Sequence, residues 1–311
     1  MDRDWHEMFR TWAKPPSKAE EAKGSNAAHL IGTALRSFDN LKSRDFSVLS
    51  CGSYRNNTNV KLDSDIDVAV VYNDAVYCQY PPVGPPTSEM LGFKVAEYGM
   101  SHFRNDVEKA LVAAFGRSNV VAGDKTINIR ENTTRLDADV TPFLQHRCYT
   151  GQKLADGTWQ FFEGAEMRPR GEQNKRIINW HQRHYDEGVK RNDATRRRFK
   201  RITRIIKRLR TEMSEAGTKE ARAASTTASS FLIECLVYNA TDQCFNIVEG
   251  SYYEDVKAVV RELWNSTKTD DSCRGFLEVS RMKYLFHSIQ PWTRSEAHVF
   301  LLHAWEHAEF K

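Results

Sequence analysis

Long apolar runs are missing from this chain. No stretch of eighteen or more apolar residues occurs, which excludes a membrane-crossing helix and any membrane partner that would need one. Cysteine is sparse as well. The six thiols, at positions 51, 78, 148, 235, 244 and 273, form no Cys-x-x-Cys pair, which argues against both a disulfide framework and a zinc knuckle. The charged start Met1-Asp2-Arg3-Asp4-Trp5-His6 has no secretory apolar core. Internal repeats are absent, and the net charge is only +4. A reducing cytoplasm is the expected compartment.

What is present is ordinary globular material: 311 residues, 40% hydrophobic and 11% aromatic, enough for one large domain or two modest ones. Periodicity predicts a helix over residues 17–42 and a strand at Phe46–Ser50. A buried, β-branched strand follows at Ile66–Tyr72, then a Pro/Gly loop from Pro81 to Pro86 and a helix over 99–115. Further strands are expected near 119–122, 126–130 and 135–143. Beyond Trp159 the pattern becomes mostly helical. Asn192-Asp193 reads as the cap of a helix striped by Phe199, Ile202, Ile205, Ile206 and Leu209. Residues 214–228 read as a connector, with helices at about 229–240, 251–266 and 293–309. The expected fold class is α+β, with a mixed α/β half over 1–160 and a helical half over 161–311.

Charge is unevenly spread. Between Lys190 and Arg210 lie eleven Lys or Arg residues and one acid, Asp193. Such a block suggests an anionic ligand of limited size, with a nucleic-acid face as the competing reading and a solvated face as the bland one.

The strongest chemical signal is Cys51-Gly52-Ser53, eleven intervening residues, then Asp65-Ile66-Asp67-Val68. A glycine lets backbone approach phosphate oxygens, and the Ser53 hydroxyl and backbone N–H groups donate to them. Asp65 and Asp67 alternate on a strand, so both carboxylates point to one face and can hold a hard, oxygen-seeking Mg²⁺ with triphosphate oxygens. A third carboxylate for a two-metal site comes from Asp137 or Asp139, which share a face and cannot be separated by periodicity. The run Asp63-Ser64-Asp65-Ile66-Asp67 imitates the start of an EF-hand, but Val68 occupies the position that needs glycine.

These motifs resemble the activation motif of the DNA-polymerase-β-like nucleotidyltransferases. Within that superfamily the chain most resembles the bacterial CD-NTases (cGAS/DncV-like), particularly the pyrimidine-using CdnE-type members. The likeness resumes at Asp139-Val140-Thr141-Pro142, Ile178-Asn179-Trp180, Arg198-Phe199-Lys200-Arg201, Ser229-Ser230-Phe231 and Val237-Tyr238-Asn239. It implies a nucleotidyltransferase core over 1–160 and a helical lobe over 161–311 that completes the nucleotide cleft. It implies Asp65, Asp67 and Asp139 as catalytic metal ligands for two Mg²⁺ ions, with Mn²⁺ as a substitute. Gly52 and Ser53 would hold the donor triphosphate, Lys207 and Ser230 would contact its β- and γ-phosphates, and Phe231 would stack on the donor base. Asn179 aligns with a lid position that helps read a base, where an amide suits uracil; its alternative is to cap the helix near Trp180.

The implied activity joins nucleotides, UTP and ATP foremost, into a cyclic di- or trinucleotide messenger for anti-phage signalling. A downstream cyclic-nucleotide-responsive effector and a nucleic-acid or protein activator are the implied partners. The alternatives are a nucleotidyltransferase that modifies RNA or a drug, and an inactive nucleotide- or RNA-binding protein. His303-Ala304-Trp305-Glu306-His307 matches a zinc-peptidase string. Val299, Phe300, Leu302 and Trp305 share its helix, so a packing helix with exposed histidines is expected instead. His181 and His184 are expected to be structural or to rim the substrate.

Overall fold

A computed structural model of the chain describes residues 3–60, 65–130 and 137–311. The chain forms two compact units. One comprises Ser17–Arg55 and Asp65–Gln182, the other Met1–Pro16, Asn56–Ser64 and Arg183–Lys311.

The first unit is built on a sheet. Its strands are β1 (Phe46–Ser50), β2 (Ile66–Gln79), β3 (Val120–Ala122), β4 (Ile127–Ile129), β5 (Ala138–Lys153), β6 (Trp159–Met167) and β7 (Ile177–Asn179). They pair in the order β1-β2-β5-β4-β3, with β6 also on β5 and β7 on β6. Only β2 and β5 run parallel among these pairs. Strand β5 is long enough to serve two partners along one edge: its start takes β4 at Ala138–Val140, and its later part takes β6 from Leu144 onward. Helices α2 (Lys18–Arg36) and α4 (Met100–Phe115) pack on this sheet, and the one-turn α3 (Gly52–Asn56) follows β1. Ile31, Leu35, Phe103, Val107 and Leu111 share one buried cluster with Ile66, Val68, Val70 and Val140.

The second unit is helical. It holds α1 (Trp5–Trp12), α5 (His181–Ala194, whose first two residues belong to the sheet unit), α6 (Arg198–Ala216), α7 (Lys219–Thr227), α8 (Ser230–Asn239), α9 (Tyr253–Ser266), α10 (Asp270–Cys273) and α11 (Arg294–His307). The stripe read from the sequence lies at the centre. Phe199, Ile202, Ile205, Ile206, Leu209 and Met213 of α6 are buried in one cluster with Phe9, Leu232, Leu236, Leu263 and Phe300. No helix among the described residues is long and apolar enough to cross a membrane.

Several expectations need correction. The sheet continues through β6 and β7 to Asn179, so the division expected at 160/161 falls at the start of a strand, and the units part after Gln182. Residues 1–16 belong with the helices, because Trp5 and Phe9 complete the helical core. The supposed connector contains α7, whose Ala-rich turn is started by the Thr218 side chain accepting from Ala221 N. Asn192 and Asp193 lie in the last turn of α5 and do not cap α6 as its preceding residue. Arg197, in the left-handed region with φ 66°, holds that place, while the Thr195 and Asn192 side chains accept from Phe199 N and Lys200 N.

Three cations of the basic block on α6, Arg198, Arg204 and Lys207, are internal. Arg198 is buried and bonds Asn246 Oδ1 and Ser251 O, with Asp255 at 3.4 Å. Arg204 donates to Ala13 O and Asn57 O; burial, then the charge of Arg201, lowers it to about 10. Lys207 is 2% exposed. Its ammonium donates to Thr58 O (3.1 Å), Thr58 Oγ1 (3.3 Å) and Glu234 Oε2 (3.1 Å). Glu234 also accepts from Thr58 Oγ1 at 2.6 Å and meets His184 Nε2 at 3.0 Å. Burial alone would raise the Glu234 carboxyl, but the Lys207 charge and the hydrogen bonds from His184 and Thr58 hold it well below the usual carboxylate range.

A carboxyl depressed in the folded state contributes stability that is complete above its unfolded value, near 4.5, and fades as pH falls towards the lower folded value. Glu234→Gln leaves Lys207 buried without its counter-charge, which is expected to cost about 3–5 kcal/mol at neutral pH. The deficit relative to the parent should be constant above about pH 5 and shrink below pH 4.5. Denaturant unfolding of both proteins at several pH values checks this; a deficit that grows in acid would contradict the assignment.

Candidate active site

The sheet unit assembles the carboxylates by register. Asp67 is the second residue of β2, between the fully buried Ile66 and Val68, so its side chain takes the face opposite theirs. Across the parallel pair, Asp67 stands opposite Asp139 and Ile66 opposite Ala138. The frame extends one residue earlier, where Ile66 N donates to Asp137 O at 2.9 Å. Asp65, Asp67, Asp137 and Asp139 are therefore on one face of two neighbouring strands, roughly 4.8 Å apart.

Both candidates for the third carboxylate bear on Asp65. The Asp65 carboxyl lies above its ordinary value, raised by partial burial first, then by the charge of Asp139, and less by that of Asp137. Asp139 also has its own positioning group: Asn128 is its register partner on β4 and donates from Nδ2 to Asp139 Oδ1 at 3.1 Å. Sequence reasoning missed Asn128. The one signal available was a polar amide between Ile127 and Ile129 in a strand otherwise buried.

Gly52 meets the carboxylates from the other side of β2. Its φ is +62°, and a Cβ placed there would stand 1.9 Å from Asp67 Oδ2. Cys51 N donates to Asp67 O at 2.8 Å, tying the loop to the strand. Burial and then the Asp67 charge push the Cys51 thiol up to about 12. Ser53 follows Gly52 in α3.

An all-oxygen set suits a hard divalent cation, and a carboxyl raised by its acidic neighbours, as Asp65 is, is what such a cation relieves. Among the described residues no three His, Cys, Asp or Glu side chains stand as a closed metal cluster. The register aligns the donors without gathering them. Asp63 and Ser64 lie outside the described residues.

The remaining expected site residues are distributed between the units. Asn179, half-buried, ends β7 opposite Ala165. Helix α5 begins at His181, so Trp180 and not Asn179 occupies the position before it. In the helical unit, Ser230 is the first residue of α8 while Ser229 performs the cap, accepting from Leu232 N. Phe231 is 37% exposed, with the rings of His184 and Trp292 at 5.6 and 5.8 Å. Lys207 lies inside the helical unit, where its ammonium donates to Thr58 and Glu234. His184 is structural through Glu234. Of the zinc-peptidase string, His303 pairs with Glu306, and His307 bonds Arg3 and packs on Trp5.

A sheet that sets Asp65, Asp67, Asp137 and Asp139 on one face of two neighbouring strands, with a glycine loop against Asp67, is an arrangement suited to a nucleotidyltransferase core. The comparisons agree. The model described as "cGAS/DncV-like nucleotidyltransferase C-terminal helical domain" matches residues 186–309. The chain is 37% identical over 309 residues to a cyclic dipyrimidine nucleotide synthase CdnE of Legionella pneumophila, covering 99% of both chains. Among solved structures it resembles the Rhodothermus marinus CdnE c-UMP-AMP synthase with Apcpp and Upnpp (TM-score 0.80, 26% identity, 96% of this chain and 94% of that one). It also resembles the Elizabethkingia meningoseptica CdnE cyclic dinucleotide synthase with GTP and Apcpp (TM-score 0.77, 27% identity, 99% and 100%). The chain belongs to the CdnE family of cGAS/DncV-like nucleotidyltransferases.

Gly52→Ala should displace the Asp67 carboxylate and force a side chain into the left-handed region. A displacement near 1 Å is expected to lower nucleotide transfer about a hundredfold or more. Turnover and melting temperature measured together check this; near-normal turnover in a folded Gly52→Ala protein would show that the loop yields.

Proposed function

We propose that this protein links nucleoside monophosphates, drawn from UTP and ATP, into a cyclic di- or trinucleotide messenger in the cytoplasm. The register that places Asp67 beside Asp139, with Asp65 on the same face, carries the reading. Full-length similarity to cyclic-nucleotide synthases supports the cyclic product. A signal of this kind implies a downstream effector that binds the cyclic nucleotide, and anti-phage defence as its setting; an activator, nucleic acid or protein, would govern its synthesis.

In each round an acceptor hydroxyl oxygen bonds the α-phosphorus of a nucleoside triphosphate and gives up its proton to solvent, the bond to the β-phosphate bridging oxygen breaks, and pyrophosphate leaves with the electron pair. The last transfer is internal: the linear product's free hydroxyl bonds the α-phosphorus of its own 5′-triphosphate and expels a further pyrophosphate, which closes the ring. Asp65, Asp67 and Asp139 would hold two Mg²⁺ ions, or Mn²⁺ in their place, which when bound supply charge neutralisation at the phosphates and a more acidic attacking hydroxyl. The Gly52 backbone and the Ser53 hydroxyl orient the triphosphate. Asn128 holds the Asp139 carboxylate in place for this work. In the helical unit, Ser230 donates to phosphate and Phe231 offers an aromatic face to a base, with Trp292 behind it. Asn179 reads the base. Its amide carries a donor and an acceptor, which pair with the N3–H and O4 edge of uracil.

Incubation with Mg²⁺ and all four nucleoside triphosphates, without added acceptor, tests the proposal. A small phosphatase-resistant product containing uridine is expected. Asp65→Asn, Asp67→Asn and Asp139→Asn should each abolish it in folded protein, with Asp137→Asn milder. Long homopolymers, or labelling only when RNA or a drug is supplied, would support the tailing and drug-modifying alternatives. A dead Asp137→Asn beside an active Asp139→Asn would reverse the assignment of the third carboxylate.

A further inference from the structure

Strand β7 is three residues long and, among the described residues, pairs only with β6, through Ile177–Met167, Ile178–Glu166 and Asn179–Ala165. So short an edge strand is marginal unless its ends are fixed. Both ends are. Immediately before it, Arg176 grips Glu166 with two parallel bonds, Nε to Oε1 at 2.9 Å and Nη2 to Oε2 at 2.8 Å. Immediately after it, Trp180 is 6% exposed and lies against Gly164, where an added Cβ would come within 2.8 Å of the indole and 3.0 Å of Asn179 O.

One side chain joins the two anchors. His146, fully buried on β5, bonds Glu166 Oε2 through Nδ1 at 2.9 Å and stands edge-on to Trp180 with ring centroids 5.4 Å apart. Glu166 is itself fully buried. Burial would raise its carboxyl, yet the hydrogen bonds from His146 and Arg176 and the Arg176 charge keep it below its ordinary value. None of these groups is one of the site carboxylates or a residue of the glycine loop. Their shared product is the fixed backbone of Asn179.

We infer that His146, Glu166, Arg176, Gly164 and Trp180 form a clamp that positions Asn179 for base selection. The inference rests on the proposed base-reading role of Asn179. A side-chain amide distinguishes uracil from a purine only when its donor and acceptor are held to a fraction of an ångström. The clamp residues act through Asn179 and are positioning residues, not catalytic ones.

The test measures kcat and KM for UTP and for ATP separately, with melting temperatures, in the parent, Asn179→Ser, Arg176→Met, Arg176→Lys and Gly164→Ala proteins. Arg176→Met should reduce the preference for UTP over purine about tenfold, the size of one well-formed hydrogen bond to a charged group. ATP turnover should stay within a few-fold of the parent. Arg176→Lys, which cannot bond bidentately, should recover part of the preference. Gly164→Ala, which pushes Trp180 without removing a polar group, should shift it in the same direction. Equal losses for UTP and ATP, or an unchanged preference in a folded Arg176→Met protein, would overturn the clamp. If Asn179→Ser leaves base choice unchanged, the reading of Asn179 itself fails, and the clamp fails with it; if Asn179→Ser shifts the choice and the clamp variants do not, only the clamp fails.

Discussion

The parallel pairing of β2 with β5 is the constraint on which the site depends. Side chains on a strand alternate between faces, so once Ile66, Val68 and Val140 are committed to the core, Asp67 and Asp139 must share the other face. A slip of one residue would bury a carboxylate and expose an aliphatic side chain, so the hydrophobic core enforces the register that the chemistry uses. The pairing also brings β4 against the start of β5, which supplies Asn128 to Asp139. Gly52 then meets Asp67 with no room for a Cβ. Four separate segments are thus aligned by one ladder of hydrogen bonds.

In the helical unit the corresponding constraint is a single buried carboxylate. Glu234 takes bonds from His184, Thr58 and Lys207, which lie on α5, on the segment that runs towards Asp65, and on α6. Without it, Lys207 would be a desolvated charge with only neutral acceptors. Arg198 and Arg204 work similarly, spending their donors on carbonyls of the 246–251 loop, the end of α1 and Asn57. Arg198, Arg204 and Lys207 of α6 thus tie the unit together. His146 and Glu166 repeat the device in the sheet unit, where a buried pair fixes a short edge strand.

Much of this was legible in the sequence because it rests on local periodicity. Val and Ile alternating with Asp marked β2, the Gly-Ser pair marked the loop before it, and the 3.6-residue stripe marked α6. The strands past Trp159 were not legible. Trp159–Met167 mixes Phe, Glu and Gly without clean alternation, and β7 is too short for any period to show. The helix α7 was hidden by Ala, Ser and Thr, which suit a connector as well as a helix until Thr218 caps it.

The sequence by itself determined the donor chemistry: which carboxylates share a face, where backbone needs glycine, and which family the motifs resemble. Those features are set within a few residues of chain, by strand alternation and by the absence of a side chain. Only the tertiary structure decided which charges are available and which are spent. Lys207 and Thr58 are 149 positions apart, and Asn128 reaches Asp139 only across a strand pair. A buried cation's partner is chosen by which segments pack together, because desolvation makes an unpaired charge too costly to keep wherever the fold happens to bury it.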